Sequence, residues 1–412
     1  MTSQFTTMRV RRRHALSFTW RFLKSLLVLL RRAVFKSNKF ESVSAAFTEI
    51  YSTLWDLAEH SISHQDFSLP SALGDGPVHK VNAQLSELYG LPFASLSFGG
   101  SSGALLTLLT AVLPKLHPHR DIVLFDDICH QSAIGGLIFG RWKAVRIARN
   151  IHPKYQTVQP LKLETVKARV EKYGAKRIAA LILVLPSYDG FRSPSEDQKI
   201  YAFAKAHGIT VIIDGAWDAL RFRQDQNASY ALDSLCDAWV SSPHKRGLTP
   251  SSLGCVLTKE KQIAQLWDEA LDLGFRSSSI SFVDIMIAEH RLNQILSGQW
   301  DKAFVQAETA ANLLRTKITN IHPDIRCVQA EDLGAEQGDV THILISTAKL
   351  PNLDARDWAN TLSRDFALDV EKATRSTLLL ICGSPSHLKQ IASIISTLKQ
   401  ALQDTLNKTG EL

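Results

Sequence analysis

Asp214-Gly215-Ala216-Trp217 closes the apolar run Thr210 to Ile213, and Ser242-Pro243-His244-Lys245 follows the next apolar run, Ala238 to Val240. Two successive strands would thus deliver a carboxylate and a primary amine to one edge of a sheet. A lysine amine can condense with an aldehyde to a Schiff base and later be displaced by a substrate amine. A carboxylate facing a pyridine nitrogen favours the protonated ring, because an opposite charge at hydrogen-bond distance shifts that equilibrium. Lys245 and Asp214 are therefore candidates to hold pyridoxal 5'-phosphate (PLP). Taken singly, a strand-end aspartate that caps the next segment and a lysine on a solvated loop are ordinary, so the pair needs support from the same edge.

That support lies upstream. Phe93 to Phe98 reads as a short strand, and Gly99-Gly100-Ser101-Ser102-Gly103 turns it into an apolar helix from Ala104 to about Leu113. Glycines opening a helix expose backbone N–H groups at its positive end, and two hydroxyls add to them, which suits a phosphate. The same five residues match a G-x-S-x-G nucleophile elbow, in which Ser101 attacks an ester and Asp214 and His244 complete a hydrolase triad. A plain glycine-serine turn with a helix cap is a third reading. Further on, Asp121 to Phe125 reads as a strand leading through Asp126-Asp127-Ile128-Cys129-His130-Gln131-Ser132 into a helix. Ligands of open α/β sheets bind outside the carboxyl ends of the strands, so His130 could stack on a bound ring there; it could equally be a hydrogen-bonded residue of the helix cap. Ile178 to Leu185 forms another strand, ending in Pro186-Ser187-Tyr188-Asp189-Gly190. Four loops then converge on one edge.

At this point the motifs carry a resemblance. Asp-x-x-Cys-His-x-Ser at Asp126 to Ser132, Ser-Tyr-Asp-Gly at Ser187 to Gly190, Asp-x-Ala-Trp at Asp214 to Trp217 and Ser-x-His-Lys at Ser242 to Lys245 resemble the prokaryotic-type Orn/Lys/Arg decarboxylases, which are fold type I PLP enzymes. Order and spacing match from about Ser71 to Glu289. Val370-Glu371-Lys372, followed by the strand Thr377 to Cys382, looks like that family's small domain. The resemblance implies that Lys245 carries the cofactor, that Asp214 meets the pyridine nitrogen and that His130 stacks on the ring. It further implies that Gly100, Ser101, Ser102, Ser242 and His244 surround the phosphate or the Schiff base, with Ala216 on the other ring face and Trp217 near the phenolic oxygen. Glu371 would meet the distal amine of a basic substrate. The chain departs from the family at Gly100, where a threonine is usual, at Pro243, and at Arg276-Ser277-Ser278-Ser279 in place of a Thr-Ser-Pro-like stretch. These changes leave the substrate open among ornithine, lysine and arginine.

The expected reaction is loss of the carboxylate as carbon dioxide and return of a proton, from His244 or Lys245, to give an amine of the polyamine kind. Arg375, four residues after Glu371, bears on a different outcome. Placed to clamp the α-carboxylate, it would favour an aminotransferase or other α-proton chemistry; the plainer reading is an exposed turn residue.

The elements that must position these residues read as an α/β fold. With 412 residues and 45% hydrophobic side chains the chain can bury more than one core. Apolar strands alternate with helical patterns from Phe93 onward, which predicts a mostly parallel sheet covered on both faces. A shorter pattern begins at Asp301: a long helix, the strand Thr341 to Ser346, a helix from Asp354, the strand Thr377 to Cys382 and a closing helix Ser386 to Leu402. A helix around Ser281 to Gln299 would link the two. The expected division is an arm over 1–40, a large cofactor-binding domain over 41–300 and a small α+β domain over 301–412.

The five cysteines are scattered, with neither metal-ligand spacing nor a disulfide framework, so no metal is expected and a cytoplasmic setting is the default. Cys129 beside His130 reads as a buried strand-end thiol rather than a nucleophile. The net charge of +7 is unevenly placed: residues 1–40 hold ten Lys or Arg and no acid, leaving 37 basic against 40 acidic residues in the rest. Within that arm Arg21, Lys24, Arg32 and Lys36 recur at helical spacing opposite Trp20, Phe22, Leu23, Leu26, Leu27, Leu30, Val34 and Phe35. Its uncharged run, Ser25 to Leu30, is far short of the ~20 residues that span a bilayer. An amphipathic segment over residues 8–36 could dock across a homodimer with a shared active site, lie on an anionic membrane or act as a targeting segment. Nucleic-acid binding is not expected, since the basic arm alone explains the charge.

Overall fold

The computed structural model describes residues 77–97, 99–217, 232–246, 253–275, 282–350, 352–382 and 387–409, all within the compact unit Asp66–Leu412. The basic arm, the start of the family match at Ser71, Phe98 and Arg276 to Ser279 lie outside the described residues. So do Ser281 and Ser386, the first residues of two expected helices.

The central sheet is built from seven short strands. In chain order they are β1 (Phe93–Ser97), β2 (Ile122–Asp126), β3 (Lys143–Ile147), β4 (Ile178–Val184), β6 (Thr210–Asp214), β7 (Ala238–Ser241) and β8 (Gly254–Thr258), with spatial order β1-β8-β7-β6-β4-β2-β3. The pairs β2·β3, β2·β4, β4·β6 and β6·β7 are parallel, and β8 runs antiparallel to both of its neighbours, β7 and β1. Every strand of this sheet except β8 therefore points the same way, as the alternating pattern predicts. All seven residues of β4 are buried, as befits a central strand covered on both faces.

Helices close those faces. On one side α1 (Pro77–Tyr89), α4 (Leu163–Tyr173), α5 (Pro194–Ala206) and α7 (Phe282–Leu296) pack over Leu181, Leu183, Val211, Ile213 and Trp239. On the other α2 (Gly100–Thr107), continuing through a π turn over Leu108–Val112, packs with α3 (Gln131–Phe139) and α6 (Lys261–Ala270) over Val123, Ile182, Ile212, Val240 and Val256. The first turn of α2 begins at Gly100, ahead of the expected Ala104.

The expected linking helix is α7, and it serves the first core. Ile285, Ala288, Leu292 and Ile295 join the first core, where α7 packs on α1, and the chain turns at Gly298, with φ of 80°, before α8 (Asp301–Ile318) begins. From α8 onward most buried side chains belong to a second cluster, while Val328, Ala330, Leu333, Ala335, Leu344 and Leu379 pack with Tyr155 and Phe191 of the first part. The second cluster lies between α8, α9 (Ala355–Phe366), α10 (His387–Thr409) and an antiparallel sheet of order β12-β13-β11-β9. Those strands are β9 (Arg326–Cys327), β11 (His342–Ser346), β12 (Lys372–Ala373) and β13 (Thr377–Ile381). A two-stranded ribbon ties this part to the first, with β5 (Phe191–Arg192) antiparallel to β10 (Gln337–Gly338). Among the described residues no helix is long and apolar enough to cross a membrane.

One contact at the sheet edge tolerates no side chain. A Cβ at Gly254 would fall 2.3 Å from the Gly100 carbonyl carbon and 2.6 Å from the Ser101 nitrogen, both backbone atoms. Gly254→Ala must therefore push back the first turn of α2. We expect a stability loss of about 1–3 kcal/mol, the usual cost of overpacking. It should be seen as a lower midpoint in thermal unfolding, together with weakened binding of any phosphate-bearing ligand at that turn.

Candidate active site

The carboxyl ends of β1, β2, β4, β6 and β7 open on one side of the sheet, and their following loops enclose a cavity of about 430 Å³. Each expected motif supplies part of the wall: Gly99 to Ser102 after β1, Ile128 to Gln131 after β2, Pro186 and Tyr188 after β4, Asp214 to Trp217 after β6 and Ser242 to Lys245 after β7. Of the twelve residues expected at the site, Gly100, Ser101, Ser102, His130, Asp214, Ala216, Trp217, Ser242, His244 and Lys245 line the cavity. Glu371 reaches its rim through Tyr188, and Arg375 stands apart.

Asp214 ends β6 and is buried. Its Oδ1 accepts the Ala216 N–H at 3.1 Å. Burial pushes the carboxyl up from the ordinary aspartate range, while the Ala216 N–H and the charges of Lys245 and His130 pull it back. Lys245 stands in a short 3₁₀ turn after β7, with its Nζ 4.1 Å from the centroid of the Trp217 indole. Crowding by protein lowers its ammonium below the usual lysine range, against the raising pull of Asp214 and then Glu371. A depressed ammonium leaves more free amine, the form that attacks a carbonyl.

The opposite wall is the start of α2. Gly100 holds φ of 66°, a left-handed backbone that a β-branched residue adopts only with strain. The glycine found in place of the family's usual threonine thus meets a local backbone demand. Gly103 is the first residue whose N–H closes a helical turn, onto the Gly99 carbonyl at 3.0 Å. The N–H groups before it fall among those a helix leaves without an internal partner. The Ser242 hydroxyl, also in the cavity wall, is buried with no hydrogen-bond partner among the described residues. A donor left so, beside a helix start and a buried acid, is the kind of group that a phosphate or a ring oxygen satisfies.

His130 is the N-cap of α3, its Nδ1 accepting the Ser132 N–H at 3.2 Å, as one of its readings has it, and it lines the cavity in which the other would have it stack on a ring. Because Nδ1 accepts, a neutral ring carries its proton on Nε2. Below it, Arg149 organises the loop. Its Nε donates to both carboxylate oxygens of Asp126, at 2.9 and 3.0 Å, its Nη2 to the Val184 carbonyl at 3.0 Å, and its backbone N–H to Asp127 at 3.2 Å. Arg149 and Asp126 are both buried, so β2, β4 and the loop before His130 are tied by a charge pair that water does not screen. No sequence motif singled out Arg149, whose role depends on strands 23 and 35 residues away.

The hydrolase reading is not borne out. His244 Nδ1 lies 2.6 Å from the Leu253 carbonyl, where a triad needs the acid. The charges acting on Asp214 come from Lys245 and His130. Ser101 is left as a helix-start hydroxyl. Arg375 also departs from its expected clamp: it is exposed in the turn between β12 and β13, its backbone carbonyl accepts the Ala355 N–H at 3.0 Å, and its charge acts on Asp354. Cys129 has its thiol pushed well up by burial and by the charges of Asp126 and Asp214, so it stays protonated rather than nucleophilic. Tyr188, quoted in a motif but given no role, lines the cavity, donates its hydroxyl to Glu371 and packs edge-on against Trp217 at 5.5 Å.

No family model matches the chain. It is 23% identical over 336 residues to an arginine decarboxylase of Bacillus cereus, covering 80% of this chain and 69% of that one. With an arginine decarboxylase of Bacillus anthracis the identity is again 23%, covering 80% of this chain and 64% of the other. Among solved structures, the cystalysin of Treponema denticola, which contains a pyridoxal 5'-phosphate cofactor, superposes with a TM-score of 0.60 at 13% identity, over 86% of this chain and 88% of the other. The serine palmitoyltransferase of Sphingomonas wittichii gives 0.60 at 16%, over 87% and 84%. An aromatic aminotransferase of Pyrococcus horikoshii gives 0.58 at 14%, over 88% and 93%. The chain has the fold of the fold type I PLP enzymes.

Proposed function

We propose that this chain is a PLP-dependent decarboxylase of a basic amino acid, arginine first among the candidates. The observation that carries the reading is a single cavity holding a depressed lysine ammonium, Lys245, electrostatically coupled to a buried carboxylate, Asp214, and to a rim carboxylate, Glu371. The relatives named arginine decarboxylase support the reaction class. The position of Arg375 outside the cavity removes the candidate grip that would retain an α-carboxylate. PLP when bound supplies an electron sink for the pair left behind when a bond to the α-carbon breaks.

The residues divide the remaining work. The start of α2, with Ser101 and Ser102, and the Ser242 hydroxyl would hold the phosphate. Asp214, its conformation set by the Ala216 N–H, would pair with the ring nitrogen and keep a proton there. His130, fixed by Ser132, and Ala216 would pack against the ring. Lys245 would hold the cofactor through its Nζ, for which its lowered affinity for a proton suits it, and its amine, once displaced by the substrate, would be placed to return a proton to carbon. His244, with Nδ1 turned to a backbone carbonyl, orients this turn instead. Glu371 presents its carboxylate to the distal cation. A homodimer belongs to the same reading, as does the division of the chain into domains at about residue 300.

Lys245→Ala should abolish the yellow absorbance of the cofactor-bound protein and the release of carbon dioxide from arginine, lysine and ornithine. A wild-type protein that binds the cofactor yet releases none from any of the three would refute the decarboxylase reading. Glu371→Gln should raise KM for the preferred substrate about tenfold or more, the scale of a charge-assisted hydrogen bond, with a smaller change in kcat.

Asp214 stabilises the Lys245 ammonium, so Asp214→Asn should lower its proton affinity further. At a fixed pH below the wild-type midpoint, covalent labelling of Lys245 by an amine-reactive reagent, followed by mass spectrometry, should then be faster in the variant. Slower labelling would contradict the coupling.

A further inference from the structure

We propose that the ion pair between the buried Asp189 and the partly exposed Lys372 is a positioning element that holds the Tyr188–Glu371 contact at the cavity rim and thereby sets the affinity for the distal cation of the substrate. The ligand in this statement rests on the function proposed above; the lock itself does not.

Two consecutive residues of one segment grip two consecutive residues of another. Tyr188 donates to Glu371, and Asp189 binds Lys372, across 183 positions of sequence. Asp189 is fully buried, and Lys372 Nζ lies 2.9 Å from each of its carboxylate oxygens. Thr157 donates its hydroxyl to the same carboxylate. The loop is pinned on its other side as well: the Gly190 carbonyl accepts the Asp339 N–H at 2.8 Å, and a Cβ at Gly190 would fall 2.7 Å from that of His342. Glu371 is tied to the small sheet by its backbone N–H, 3.0 Å from the Leu379 carbonyl. The pair thus joins the loop after β4 to β12; of the four residues Tyr188 lines the cavity, and Glu371 meets it through the Tyr188 hydroxyl.

Charge explains why the partners are arranged this way round. A buried carboxylate without a cation is costly, and Lys372 is engaged by Asp189 on both oxygens. Glu371 receives a hydrogen bond from Tyr188, whose phenol is held protonated first by burial and then by that same contact. A neutral donor leaves the negative charge of Glu371 to be matched by a ligand. Its two anchors hold the acid at one place on the rim, and recognition by a single carboxylate is sensitive to displacement.

The proposal and simple charge counting part at the double variant. Removing an ammonium and a carboxylate that neutralise each other should, by Coulomb attraction alone, leave the binding of a cation nearly unchanged; loss of a positioning pair should weaken it. The double variant Asp189→Asn with Lys372→Met removes the pair without changing net charge or leaving a buried ion alone. It would be compared with wild type and with Lys372→Arg, each as the full chain with cofactor.

Two readouts are taken: affinity for agmatine, cadaverine and putrescine by calorimetry, and amide exchange in peptides covering Ser187 to Phe191 and Val370 to Thr374. In the double variant, exchange should quicken in both peptides and the affinity for the best-bound amine should fall about tenfold or more. Lys372→Arg should stay within about threefold of wild type, since a guanidinium satisfies the same carboxylate. Unchanged exchange, or unchanged affinity with faster exchange, overturns the proposal. If wild type binds none of the three amines, the substrate reading fails, and exchange alone decides the lock: faster upholds it, unchanged refutes it.

Discussion

A parallel sheet places the carboxyl ends of its strands along one edge, and the chain must leave each of them through a loop. Here that constraint gathers into one cavity residues that lie far apart in sequence, from Gly99 to Lys245. The antiparallel β8 completes the arrangement. By entering between β7 and β1 it brings Gly254 against Gly100, so that the amino end of one strand braces the helix start that follows another. The groups that would meet a cofactor sit at the ends of buried strands, where the backbone is least free to move.

Beneath the cavity the protein keeps charges out of water in matched pairs. Asp126 is bound by Arg149, and Asp197, pushed up to about 6 by burial against the pull of Arg192 and Arg149, is bound by Arg192. Such pairs stabilise little over well-packed apolar side chains, but each is costly to break singly. What they supply is direction. A guanidinium that donates to both oxygens of Asp126 and to the Val184 carbonyl ties β2 to β4, the strands whose following loops carry His130 and Tyr188.

Much of this was legible in the sequence, because strand-end motifs combine two strong local signals: an apolar run and the turn chemistry that ends it. The strands carrying Asp126, Tyr188, Asp214 and Lys245 all fall within a residue or two of the expected positions. Strands β3 and β8 escaped notice. In β3 the burial alternates weakly over Lys143–Ile147, as on a sheet edge, and the antiparallel insertion of β8 depends on long-range pairing that no local pattern encodes. Of the two readings of Arg375 the structure matches the plainer one, an exposed residue in the turn between β12 and β13 with its charge acting on Asp354. Tyr188, Arg149 and Lys372 matter through partners dozens or hundreds of residues away, which composition and spacing do not reveal.

The order in which the ribosome extrudes these parts follows from their places in the chain. Every described residue of the cavity wall has been synthesised by Lys245, and the last strand of the central sheet by Thr258, whereas Glu371 emerges more than a hundred residues later. Domains fold as units during synthesis, the N-terminal one first. A nascent chain of this protein therefore carries the described walls of the cavity well before it has Glu371, and in the function proposed above the acid that would read the substrate arrives last.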